Sequence, residues 1–233
     1  MRRALMLGLV LISVVPLVAQ GQTCLGQPSF ARSPMQLNAG LTAGGDITTI
    51  GGGISWGSAG PFFGVNAAYV DIDGIKESAF SVGAGVGYQI SSGSASQLGT
   101  GAPVQAARPG SIQWCPLAAF EYQIGPEFDV LGETLDLSAL SLSAGVGLGL
   151  PIVSGGLTFI PTGGFALAYT KISADAGAFG SGSESETYGV ISLGLGFLLN
   201  EMFSLKPFVA IPVGLEDADS RFGISVVLGL GGR

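Results

Sequence analysis

Histidine is absent from this 233-residue chain, and only two cysteines occur, Cys24 and Cys115. Without an imidazole, hydrolytic chemistry that uses histidine as general base has no carrier, and metal sites lose their commonest ligand. Charge is scarce too: 11% of residues are charged, against about 25% in ordinary soluble domains. Acidic residues outnumber basic ones 16 to 9, so the clustered Lys and Arg that nucleic acid rewards are missing. Long hydrophobic runs are missing as well. A membrane helix needs about 20 apolar residues in a row, and past the N-terminus none exists, although 47% of residues are hydrophobic and the mean hydropathy is +0.55.

What the chain has in excess is glycine, 40 residues of it. The usual share is about 7%, and no Gly-X-Y period suggests collagen. Glycine at this density disfavours helices, which leaves the apolar mass to strands. The N-terminus reads as an export leader. Arg2 and Arg3 precede an apolar stretch, Ala4 to Val18, too short to span a bilayer, with cleavage expected after Ala19 or Gly21. Residues 20–34 then form an N-terminal arm, and 35–231 the folded domain.

Alternation with period two organises that domain. Phe80, Val82, Ala84, Val86, Tyr88 and Ile90 alternate with Ser81, Gly83, Gly85, Gly87 and Gln89. Leu140, Leu142, Ala144, Val146, Leu148 and Leu150 alternate with serines and glycines in the same way, as do Ile191 to Leu199 and Phe222 to Leu230. A soluble sandwich would carry charge opposite its apolar face. Here the second face is small and almost uncharged, which suits a transmembrane barrel with large residues toward lipid and small or polar ones toward a narrow lumen. Ten segments are expected, at about 35–45, 47–57, 62–72, 76–90, 114–125, 135–152, 157–172, 187–199, 204–215 and 221–231. Eight or twelve strands remain open alternatives. The expected fold is all-β, a single closed antiparallel β-barrel.

Two patterns agree with this topology. With the N-terminus in the periplasm, the outward connections hold all but two of the 16 acidic residues, Glu121 and Glu201 being the exceptions. Aromatic residues also gather toward strand ends. Trp56, Phe62, Phe63, Tyr88, Trp114, Phe159 and Phe197 are expected at the periplasmic interface, and Tyr69, Phe80, Tyr122, Tyr169, Tyr188 and Phe222 at the outer one. The Gly/Ser/Glu-rich stretch from Ala174 to Glu186 is expected as a flexible outer loop. Ser91 to Ser111 breaks the pattern as a long linker on the periplasmic side, where turns are normally short. Both cysteines fall on that oxidising side, and a Cys24–Cys115 disulfide is expected to tie the arm to the barrel base.

With this pattern the chain resembles the small outer-membrane β-barrel class, which includes the transmembrane domain of outer membrane protein A-like proteins. The resemblance covers about residues 35–231. In that class the last strand carries an assembly signal, and Arg221, Gly223, Val226 and Leu228 match its spacing; the terminus, Gly231-Gly232-Arg233, departs from the expected final aromatic. The resemblance implies a Gram-negative-type outer membrane, with its lipid, lipopolysaccharide and barrel-assembly machinery as partners.

Sites are sparse. Parity places Gln36, Asn38, Asn66, Gln89, Glu121, Gln123 and Lys206 inside the barrel, where Glu121 and Lys206 could pair or each be hydrated by lumen water. Glu184, Glu186, Glu216, Asp217 and Asp219 form an acidic outer cluster, read as a solvated loop surface. Their spacing matches no calcium loop. Gly51-Gly52-Gly53 lacks the helix and lysine of a phosphate loop. No enzyme activity, cofactor or metal is expected. The reading is a structural barrel or narrow passive pore, the alternative an adhesion or interaction protein acting through its acidic outer loops.

Overall fold

The computed structural model describes residues 35–57, 61–74, 77–91, 112–130, 133–154, 157–175, 177, 180–199, 203–215 and 218–230. Within them lie twelve strand segments: β1 (Met35–Gly44), β2 (Ile47–Gly57), β3 (Pro61–Ile72), β4 (Ala79–Tyr88), β5 (Ile90–Ser91), β6 (Gln113–Val130), β7 (Glu133–Gly149), β8 (Ile152–Ser154), β9 (Leu157–Asp175), β10 (Ser181–Leu198), β11 (Phe203–Val213) and β12 (Arg221–Leu230). The short segments β5 and β8 prolong β4 and β7 along the same partners, so the wall has ten staves. Every neighbouring pair is antiparallel, and β1 pairs β12, which closes the barrel. Closure removes the sheet edges that lipid could not satisfy.

The register fixes the bore. From Glu121, the ladder through β4, β3, β2, β1, β12 and β11 arrives at Leu198 on β10. Through β7 and β9 it arrives instead at Glu186, 12 residues away on the same strand. With strands about 4.8 Å apart and about 3.3 Å per residue, that stagger over ten staves gives a tilt of about 40° and a Cα radius of about 10 Å. Side chains occupy most of so narrow an interior.

The two faces sort as a membrane barrel requires. Leu41, Ile50, Val65, Val86, Leu142, Phe165, Leu193 and Ile224 are exposed on the outside, while Gln36, Thr42, Ser81, Gln123, Ser143, Thr170 and Ser225 are buried inside. This inversion identifies a transmembrane β-barrel. Most of the aromatic residues lie where expected. Trp56 stacks on its cross-strand neighbour Phe63 at 5.4 Å, and Phe159 meets Phe197 edge-on at 5.6 Å, both in the lower ring near the start of β1. Tyr69, Phe80, Tyr122, Tyr169 and Phe222 are exposed in an upper ring. By register the rings are about eight residues apart, about 20 Å along the axis.

Phe62 and Tyr188 are corrections. Both face the lumen and are buried, at 2% and 4% exposure. Phe62 adjoins Phe63, and only one of two successive strand residues can point outward. Its ring lies over Gly87, where an added Cβ would run into it; Phe208 lies over Gly223 in the same way.

Three strands, β6, β9 and β10, are longer than expected, and β7 begins two residues earlier. β6, β7, β9 and β10 extend beyond the upper aromatic ring, with Asp136 paired to Asp175 and Asp175 to Ser181. The stretch expected as a flexible loop is therefore largely a strand hairpin. Its serines, glycines and glutamates give no hydrophobic alternation, but the ladder propagates from the membrane segment beneath. On the opposite side β1 and β2 turn tightly through Gly45, whose φ of 55° suits a short hairpin. The barrel thus has one tall wall and one low wall.

Candidate functional site: the barrel lumen

Alternation on each stave decides which polar side chains enter the lumen. Glu121 and Gln123 come from β6, Ser81 from β4, Ser141 and Ser143 from β7, Thr170 from β9, Lys206 from β11, and Arg221 and Ser225 from β12. Glu121, Lys206 and Arg221 are buried, at 6%, 3% and 4% exposure. Charges this enclosed require compensation.

Their heights follow from the register. The row through Glu121 meets β12 at Val227, five staves around the barrel. Half the circumference raises the horizontal by about six residues at this stagger. Arg221 is six residues above Val227 on the descending strand. Glu121 and Arg221 therefore face each other across the lumen at one level, that of the upper aromatic ring. The Glu121 carboxylate feels the Arg221 guanidinium and is flanked by the Ser81 hydroxyl. Tyr188 joins the same level, its hydroxyl beside Thr170, and Thr170 shares a 2.9 Å hydrogen bond with Ser141.

Lys206 lies about five residues lower by the same count, with its ammonium 5.8 Å from the centre of the Phe208 ring. The cation facing Glu121 is thus Arg221. The sequence held a signal for it: Phe222 and Ile224 face outward, so Arg221 must face inward.

Above this polar belt the lumen turns apolar. Ile47, Val70, Ile72, Ala79 and Leu137 form one buried cluster. At the level of the belt Ala168, Val190 and Ala210 pack with Tyr188, and Ala139 and Ile172 join them from just above. Below the belt, Gln36 Nε2 and Gln113 Nε2 are buried and find no hydrogen-bond partner among the described residues; the same holds for Thr49, Gln123 and Ser225 higher up. Such groups are normally satisfied by ordered water. Gln89 donates to Gln113 at 3.2 Å. Cys115 is buried beside Phe62 on the lower lumen wall. Cys24 lies outside the described residues.

The expected acidic cluster divides. Glu184 and Glu186 stand on β10, facing the inner side of the tall wall. Asp219 lies against Gly45 at the β1–β2 turn. Glu216 and Asp217 fall outside the described residues. Among the described residues no group of three or more His, Cys, Asp or Glu side chains could hold a metal. The outer face of the tall wall carries a hollow of about 740 Å³ between Tyr122, Asp136, Lys171 and Ser183.

No protein-family model and no curated protein sequence matches the chain. Solved structures similar to it include the N-terminal β-barrel domain of Pseudomonas aeruginosa OprF, at 14% identity over 84% of this chain and 96% of that one, with a TM-score of 0.36. Ail, the attachment invasion locus protein of Yersinia pestis, is 12% identical over 85% of this chain and 96% of that one, with a TM-score of 0.39. The KdgM porin is 8% identical over 84% and 99%, with a TM-score of 0.36. These likenesses are of strand arrangement alone. The membrane character of the barrel rests on its own two faces, and on them the chain takes its place among transmembrane β-barrels.

Proposed function

We propose that this chain is a structural protein of a Gram-negative-type outer membrane, with a lumen that passes at most water and small ions. The observation that supports this reading is the belt of Glu121, Arg221 and Tyr188, buried across an interior of about 10 Å Cα radius and topped by the apolar cluster of Ile47, Val70, Ile72, Ala79 and Leu137. The acidic upper end faces outward, toward lipopolysaccharide, and the lower ring faces the periplasm. The leader, residues 1–19 or 1–21, directs export, and barrel-assembly machinery inserts the chain. No catalytic role belongs to this reading. In planar bilayers the protein should give only small, sporadic currents, and Arg221→Ala should raise them several-fold. A large, steady conductance from the unaltered protein would overturn the filled lumen.

The Cys24–Cys115 disulfide belongs to the same proposal. Cys115 points into the lower lumen, so the bond would draw the N-terminal arm to the lower mouth. Closing so long a loop contributes at most about 4–5 kcal/mol. Exported protein should lack free thiols and change gel mobility on reduction. Two titratable thiols in exported protein would remove the bridge from the account.

A second reading, interaction at the cell surface, is favoured by the tall wall, which carries ordered sheet beyond the upper aromatic ring.

A further inference from the structure

The tall wall has an open edge. β10 pairs β9 along its whole length, from Ser181 to Leu198. Its pairing with β11 begins only at Gly189. Leu215, just after β11, packs against the cluster that contains Tyr188, so the edge is covered as far as Tyr188. Asp219 leans away from it onto Gly45. Among the described residues no strand pairs the free side of Ser181–Thr187. All seven of these residues are exposed except Glu186, which is half-buried.

The direction of the backbone groups follows from one hydrogen bond. The Leu199 N–H donates to the Phe203 carbonyl at 3.0 Å, so the odd-numbered residues of β10 turn their N–H and C=O toward the β11 side. The register with β9 runs unbroken from Leu198 to Ser181. Ser181, Ser183, Ser185 and Thr187 therefore offer their backbone donors and acceptors to the open side. The even-numbered Glu184 and Glu186 bond to β9 and set two carboxylates on the inner face.

Those carboxylates select the partner. Directly opposed residues share a face. A second copy of this edge, paired antiparallel with its faces matched, would set Glu184 opposite Glu184 or Glu186, and like charges directly opposed are destabilising. Inward charge of this kind is a known defence of a sheet edge against self-pairing. A strand with Lys or Arg at alternate positions meets the opposite situation, since each cation falls across from a glutamate while the backbone ladder forms. We propose that Ser181–Thr187 accepts, as an added antiparallel strand, an extended protein segment carrying basic residues at every second position. This surface is independent of the lumen and of whether the lumen conducts.

The test uses the full-length barrel folded in detergent micelles and a fluorescent eight-residue Thr-Lys alternating peptide, read by anisotropy. Saturable binding is expected. It should weaken at least tenfold when alternate peptide amides are N-methylated, and equally in Ser185→Pro, which removes an edge N–H without touching the β9 ladder. The double variant Glu184→Lys/Glu186→Lys should lose the Thr-Lys peptide and take up a Thr-Glu peptide instead, which guards against misfolding as an explanation of loss. Absence of binding to the unaltered barrel would overturn the proposal. So would binding indifferent to N-methylation, which would mean charge attraction without strand addition. Failure of the charge exchange to reverse the preference would overturn the selection by Glu184 and Glu186.

Discussion

The same four strands, β6, β7, β9 and β10, are built in two different ways along their length. Between the aromatic rings β10 reads Ile191-Ser192-Leu193-Gly194-Leu195-Gly196-Phe197, large and small in strict turn. Above them it reads Ser181-Gly182-Ser183-Glu184-Ser185-Glu186, with no apolar residue at all. Both storeys are strand. In the lower one, lipid on one side and a filled lumen on the other dictate every second residue. In the upper part of β10 water touches both faces, and the ladder itself is the main constraint. The difference teaches that alternation in this chain reports the membrane, and extended structure can persist where alternation has stopped.

The comparison can be broken most severely from inside the lower storey. Removing both carboxylates that act on Arg221, by Glu121→Ala together with Asp219→Ala, leaves a buried guanidinium uncompensated and should cost about 3–5 kcal/mol, measured by urea titration of the barrel folded in vesicles. Adding Arg221→Met should restore most of that loss. A double variant as stable as the parent would mean that lumen water, and not the carboxylates, compensates the guanidinium. A smaller effect separates the two storeys directly on one strand. Leu193→Arg, near the membrane midplane, should cost about 2–4 kcal/mol. Ser183→Arg, ten residues up β10 on the same outward face, should stay within about 0.5 kcal/mol. Equal costs at the two positions would erase the distinction.

How much was legible follows the same division. The ten staves and their lipid faces could be read because glycine and serine oppose large residues so regularly, as in Ala79–Tyr88. The sorting of carboxylates to one end was legible too, and Asp46, Asp73, Asp136, Asp175 and Glu184 all stand at the upper end. The tall wall was not, because Ser, Gly and Glu have weak strand preference and Ser181–Glu186 of β10 carries no apolar residue to mark its inner side. Phe62 and Tyr188 were assigned by their nearness to strand ends, when parity with Phe63 and Ile191 already turned them inward. Arg221 was legible by the same parity but was taken for part of an assembly signal. Its place opposite Glu121 depends on the 12-residue stagger, which emerges only when the barrel closes.

The claim on which the rest depends is that the large alternating residues face lipid. Both tryptophans of the chain, Trp56 and Trp114, stand on that outer face in the lower ring. Fluorescence of the protein folded into vesicles of brominated phosphatidylcholine tests it most directly. The account predicts strong quenching by bromines placed high on the acyl chain, weaker quenching by bromines near the chain end, and little by acrylamide in the water. Strong acrylamide quenching with no effect of brominated lipid would contradict it, because the outer face would then be meeting water.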